Sequence, residues 1–393
     1  MKTHVATSLA HGSSMQAVVS LSADLREKLA GSSPVLLLAF ASTKQSLPEV
    51  TGGLKREFPG ARVLGASTAG EFTEAGDAKG SVSVFALAGD FKVHVGMGTG
   101  LKESAEDAVG HAVALLPREI PGYAHRTAIV LLDPLAGNGE EASLLLAASL
   151  GADVAMAGGA AGDDLQMSAT HVAVDGQAAT NALVVALLFS KEKPGIGVAH
   201  GHRALSPPLK VTRASGGTVY EVNDRPAWDV WVEQTRASAA AAGFAELSKD
   251  REGAFLLKYE AGLSIGEDYK IRAPLSRNAD GSINFACGIE EGSVIRITES
   301  VPERQVESAR EAACRARLAL DGKKAAGAVV FDCICRNLIL QDRFAHAVQA
   351  ISEELGGVPV AGFETYGEIA LEVGEMSGFH NTTSVVLAFP AES

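Results

Sequence analysis

The chain has 393 residues, 47% of them apolar and 21% charged, enough to bury more than one hydrophobic core and too apolar for a disordered chain. A formal net charge of −13 argues against duplex nucleic acid and against anionic membrane surfaces, because both select for an excess of Lys and Arg. No apolar run reaches the roughly 20 residues that span a bilayer, Met1–Ser13 lacks a basic-then-apolar leader, and four cysteines do not make a disulfide framework, so the expected compartment is the reducing cytoplasm.

Read in chain order, Val35–Phe40 is an apolar strand and Leu47–Phe58 a helix. Arg62-Val-Leu-Gly65-Ala-Ser67 is a short strand that runs through Thr-Ala-Gly70 to Glu71, and Ser81–Ala88 is a further strand. The same order returns with Ala128–Asp133, the Ala/Leu-rich helix Glu140–Leu150, Asp153-Val-Ala-Met-Ala157-Gly-Gly-Ala-Ala-Gly162-Asp163 and the strand Ala182–Phe189. Pro and Gly pairs between Ser206 and Gly217 then punctuate the chain and predict a domain boundary at residues 216/217. Beyond it lie Trp228 and Trp231, a small-residue helix at Ala237–Ala242, and a region from 250 to 300 that reads as hairpins turning at Asn278–Gly281 and Glu290–Gly292. The repeated order appears a third time in Gly327–Asp332, a helix around Phe344–Leu355, Pro359-Val-Ala-Gly362-Phe-Glu-Thr-Tyr-Gly367-Glu368 and Ser384–Phe389.

The expected fold is therefore α/β: two domains, 1–216 and 217–393, built from repeated strand-helix-strand-strand units with mixed sheets. Each repeat closes its turn with a small residue, four residues, Gly, and then Asp or Glu. Glycines there imply either φ > 0 or close approach of something to the backbone, and repeated turn geometry accounts for them as well as a ligand does.

Catalytic motifs are absent or incomplete. Gly65–Gly70 is not followed by the Lys-Ser/Thr pair of a phosphate loop, and two aspartates directly after Ala157–Gly162 would repel a pyrophosphate. Ser67 has one residue too many before Gly70 for a nucleophile elbow, and a strand rather than a helix follows. Cys333 and Cys335, two apart on a predicted strand, lack the spacing of a redox motif and the extra ligands of a zinc site. Arg336 beside them is either an anion-contacting group or an ordinary surface Arg. His200 and His202 share a face of an extended segment without a third metal ligand, and neutral, hydrogen-bonded imidazoles are the simplest reading of both and of His380. Glu71, Asp163 and Glu368 do acid–base work only where the environment separates their pKa values.

In Val63–Glu71, Ala157–Asp164, Gly197–His202, Val211–Ala214 and Val219–Ala227, and then in Phe331–Asn337, Gly362–Glu368 and Phe379–Thr383, the sequence resembles the FIST family of sensory proteins. The resemblance runs nearly the whole chain in order. It implies FIST N-terminal and C-terminal domains, and a small-ligand sensor in signal transduction rather than an enzyme. Amino acids or other small molecules are the proposed ligands, or haem and nitric oxide in a subset that regulates a sensor histidine kinase. The candidate ligand-binding residues are then Gly65, Ser67, Gly70, Glu71, Gly162, Asp163, Arg336, Tyr366, Gly367 and Glu368. The candidate haem axial ligands are His202, His200 and His380, in that order. With no effector segment in this sequence, the output is expected to pass through another signalling protein. The rival readings are a hydrolase using the cleft near Cys335 and Glu368, and a ligand-free scaffold.

Overall fold

The computed structural model describes residues 2–265, 268–372 and 378–391. It is an α/β fold of mixed sheets, in which three six-stranded sheets carry the three repeats and a nine-stranded sheet belongs to an inserted unit. Every repeat starts one strand and one helix earlier than the sequence pattern shows. The added pairs are His4–Ala10 with Ser14–Leu29, Lys92–Thr99 with Ala105–Val113, and Gly195–His200 with Pro302–Leu318.

Two of these strands escaped the pattern for a packing reason. A Cβ on Gly96 or Gly98 would lie 1.8 Å from the carbonyl oxygen of Ala112 or Ala108, and one on Gly195 or Gly197 would lie 2.0 Å from that of Ala316 or Ala312. The helices press directly on the strand backbones, so Gly faces Ala where larger apolar residues would mark an ordinary strand and helix. Close packing of this kind accounts for part of the chain's 42 glycines.

Side chains alternate along each strand and so build two kinds of core. Leu36, Leu38 and Phe40 join Ile129, Leu131, Val329 and Phe331 in one interior shared by all three sheets. There the Phe40 and Phe363 rings stack at 4.5 Å, and Phe331 meets both edge-on. Leu37, Ala39 and Ala41 face outward under the helices Ser14–Leu29 and Leu47–Glu57, and the other two sheets have matching outer cores.

The sheets are also interlocked. Each repeat supplies four strands to its own sheet, with one parallel pair, such as Leu38↔Leu64, among antiparallel neighbours. The hairpin that follows the acidic turn crosses to another sheet. Glu71–Thr73 and Gly76–Ala78 of the first repeat join the third sheet, with Gly362 opposite Phe72. Val172–Val174 and Gln177–Ala179 of the second join the first sheet, with Gly65 opposite Ala173. Glu368–Leu371 and Phe379–His380 of the third join the second sheet, with Gly158 opposite Ile369. The three repeats thus trade hairpins in a ring around a single interior.

The third repeat is interrupted after Gly195–His200 by the inserted unit, which packs around Trp228, Trp231, Phe255 and Phe285. Residues 216/217, expected as a domain boundary, form the turn between the paired strands Leu209–Ser215 and Thr218–Val222 inside that unit. The Trp pair lies on the helix Ala227–Ala241, which starts well before the expected Ala237. Glu252–Lys258 is helical where hairpins were expected.

Candidate functional site

The acidic turns differ in a way that creates a cleft. In the first and third repeats the turn reads Thr-x-Gly-Glu, and the Thr and Glu close on each other. The Thr68 hydroxyl donates to Glu71, and the Thr365 hydroxyl donates to Glu368 Oε1 at 2.5 Å. The second carboxylate oxygen then ties the turn to the start of the next strand of the same repeat. Glu71 Oε2 accepts from Ser81 N (3.0 Å) and Oγ (2.6 Å), and Glu368 Oε2 accepts from Thr383 N (3.1 Å) and Oγ1 (2.9 Å). Burial pushes Glu71 up to about 7 and Glu368 up to about 8, against the pull of these donors. Both carboxyls are latches inside the fold.

The glycines of the turns serve close approach, not a left-handed backbone. A Cβ on Gly70 would sit 2.5 Å from the Glu364 carboxyl carbon, and one on Gly162 would sit 2.7 Å from Ala69 N. Gly367 faces the Phe379 ring and Gly65 faces Thr51 in the same manner.

The second repeat has Ala160 in place of the Thr and Asp163 in place of the Glu, so no latch forms. The chain instead loops through 164–171 before its hairpin begins at Val172. Asp163 organises that loop by accepting the backbone N–H groups of Met167 (2.9 Å), Ser168 (2.6 Å) and Ala169 (3.0 Å), together with the Tyr366 hydroxyl (2.6 Å). Burial alone would raise its pKa, but these donors, Tyr366 foremost, hold it below the usual carboxylate value. Asp164 turns the other way and accepts from Ser42 Oγ and Thr43 N at 2.9 Å and from the Thr43 hydroxyl. Asp164, Leu165 and Met167 have φ of 52°, 63° and 50°, a left-handed backbone that costs energy in non-glycine residues and clusters at functional sites.

Between this loop and the segment Ser42–Pro48 of the first repeat lies a cleft of about 510 Å³, lined by Ser42, Thr43, Gln45, Ser67, Asp163, Gln166, Ser168 and His171 among others. Its size falls within the roughly 300–1,000 Å³ of small-molecule sites. Ser67 and Asp163, both selected from the sequence, reach it. Ser67 Oγ accepts the His171 amide proton at 2.8 Å, and among the described residues no carboxylate or imidazole is hydrogen-bonded to that oxygen. Sequence reasoning missed Ser42, Thr43, Gln166, Ser168 and His171, which lie on irregular segments. The one available signal was the longer spacing between acid and strand in the second copy.

Other selected residues lie elsewhere. Arg336 is fully buried and directs its guanidinium inward, to Asp332 Oδ1 (2.8 Å), Gln305 Oε1 (2.5 Å), Ser308 Oγ (2.7 Å) and Gln305 O (3.0 Å). It is neither a surface Arg nor a group facing the cleft. Cys333 ends a strand and Cys335 lies on the helix Ile334–Leu340, so the pair does not share a strand face. Neither Cys335 nor Glu368 lines that cleft.

The histidines separate as well. His202 is enclosed, with Nδ1 3.1 Å from Thr298 Oγ1 and Nε2 3.6 Å from the buried Glu260 carboxyl. Burial holds the imidazole well below its usual pKa and the Glu260 carboxyl well above. His380 Nε2 contacts the Ala370 carbonyl at 3.2 Å, and burial lowers its pKa to about 3. His380 and His200 line a cavity of about 160 Å³ with Tyr269, Glu311 and Arg315. A porphyrin needs a larger, mostly apolar slot beside an unengaged imidazole. These three histidines do not fit a haem.

The profile of the FIST N domain matches residues 35–225, and that of the FIST C domain matches residues 233–371. The chain belongs to the FIST family. FIST domains are small-ligand sensing domains of signalling proteins. In this FIST protein the two matched segments are interwoven, since the hairpin Glu71–Ala78 of the first pairs with Val360–Thr365 of the second. No curated protein matches the chain. Among solved structures, the cyanuric acid hydrolase from A. caulinodans aligns over 100% of both chains at 10% identity, with a TM-score of 0.28, a likeness too slight to carry an argument. No helix among the described residues is long and apolar enough to cross a membrane.

Proposed function

We propose that this FIST protein is a cytoplasmic, non-catalytic sensor of a small polar molecule, such as an amino acid. Its ligand occupies the cleft between Ser42–Pro48 and the loop 164–171. The observation that carries this reading is that Ser67 and Asp163, from two of the repeated turns, meet on the walls of a cleft rich in hydroxyl and amide groups. The left-handed residues at its rim supply a segment that a ligand can resettle. In this reading, resettling the loop changes how the exposed Leu165 and Met167 present themselves to a separate signalling protein, a sensor histidine kinase being the partner type that the family resemblance implies. Haem and nitric oxide form no part of the reading, because the selected histidines do not fit the group.

The test is a thermal-shift panel of amino acids and small hydroxylated compounds on the wild-type chain and on Ser168→Trp, which fills the cleft from an exposed position. A ligand at a hundred times its Kd stabilises by about 2.7 kcal/mol, a readily measured rise in Tm. The expected result is a shift with at least one compound, lost in S168W, with the compound recovered unchanged. Silence across the panel, or turnover of the bound compound, would refute the reading.

A further inference from the structure

A second cleft, of about 350 Å³, lies where the inserted unit meets the second repeat and the hairpin that the third repeat lends it. Phe285, Tyr366 and Phe379 are among its lining residues, and so is Glu140. Behind Glu140 is Arg272, whose side chain is only 3% exposed. Arg272 Nη2 donates to Glu140 Oε1 at 2.5 Å, and Nη1 donates to the Phe379 carbonyl at 3.3 Å. Nε has no hydrogen-bond partner among the described residues. Nε and Nη2 form one edge of the guanidinium, the edge that takes a carboxylate with two parallel hydrogen bonds. Glu140 therefore fills one half of a two-point edge and leaves a buried donor empty, at a cost that a bidentate partner would remove. Glu140 itself is 30% exposed and sits in the first turn of the helix Gly139–Leu150, free of the burial that fixes Arg272.

We infer that this second cleft binds a small carboxylate with an aromatic or apolar body, its carboxylate displacing Glu140 from the Nε–Nη2 edge of Arg272 and its body packing against Phe285, Tyr366 and Phe379. Cys287 lines the same cleft as Glu140, the partner of Arg272, and burial pushes its thiol up to about 11 against the pull of the Arg272 charge. The site stands independently of the first cleft's ligand, although one side chain links the two. Tyr366 lines the second cleft, while its hydroxyl donates to Asp163 on the first and accepts from Leu165 N at 2.8 Å. A ligand that orders this ring acts on the Asp163 loop through one side chain.

The experiment is a fluorine NMR titration of the full chain with 4-fluorophenylacetate and, separately, with the neutral 4-fluorophenylacetamide. The acid is expected to bind saturably in the millimolar range or below, and the amide about tenfold more weakly or worse, since it cannot form the charged pair. Ala286→Trp plugs the cleft from an exposed lining position and should abolish binding of the acid, whereas Ser168→Trp in the first cleft should leave it intact. Arg272→Lys keeps the charge but removes the two-point edge, and should weaken the acid about tenfold. Equal binding of acid and amide, binding that survives in A286W, or no saturable binding of the acid would overturn the inference. Loss of binding in S168W with retention in A286W would move the carboxylate to the first cleft and overturn it too.

Discussion

Replacing Glu368 by Gln tests the claim that the acidic turns are latches. Burial lifts the Glu368 carboxyl in the folded chain to about 8, whereas its ordinary value is 4.5. The folded state therefore holds a proton that the unfolded chain releases, and this contribution is complete below about pH 4.5 and lost as the pH rises through 8. Each pH unit between these values removes up to about 1.4 kcal/mol, so the wild type loses about 3 kcal/mol from this group between pH 5 and 7.5. A Gln side chain keeps the contacts: its carbonyl accepts from Thr383 N and Oγ1, and its amide donates to the Thr365 hydroxyl. It cannot ionise. Urea unfolding of both proteins at intervals from pH 5 to 8 should give nearly equal stability at the acid end and an increasing advantage to E368Q toward the alkaline end, by roughly 3 kcal/mol. Measuring the difference between the two chains cancels the other titrating groups. A difference that stays constant with pH would show that Glu368 ionises normally, and the latch argument would fall.

Gly70→Ala forces a methyl group onto the Glu364 carboxyl, and should cost about 1–3 kcal/mol in urea unfolding; a neutral result would show that Glu364 moves freely. Arg336→Leu leaves Asp332 buried without its partner, and should cost about 3–5 kcal/mol, where a surface or ligand-facing Arg would cost almost nothing. His380 should keep a pH-independent imidazole NMR signal from pH 5 to 8, because its folded pKa lies near 3; a midpoint near 6.5 would mean that it is open to water.

How much of this was legible in the sequence follows from where the information lies. The three apolar strand pairs were visible because a buried strand needs continuous apolar residues, and the crossover helices were visible from their periodicity. The family assignment was visible too, since its turn residues recur in order along the chain. The opening strand of two of the repeats was not, because Gly facing Ala carries no hydrophobic pattern although the contact is among the tightest in the molecule. Turn glycines announced a constraint in the sequence, and only the fold showed what approaches them.

The sequence by itself determined the α/β class, the threefold repetition and the residues of the acidic turns, since these rest on local propensity and on the spacing of apolar side chains. Tertiary structure alone decided what those residues do. Glu71 and Glu368 became latches because a Thr three residues earlier reaches each of them, and Asp163 became a wall of the cleft because Ala160 cannot. Arg336 turned inward because Asp332 and Gln305 meet it there, and Tyr366 came to stand between two clefts because its hairpin crosses into another repeat's sheet. The Thr of each latch and Asp332 lie within four residues of their partners, but Tyr366 and Asp163 lie 203 residues apart. Their meeting is a property of the exchanged hairpins, which no local pattern in the sequence encodes.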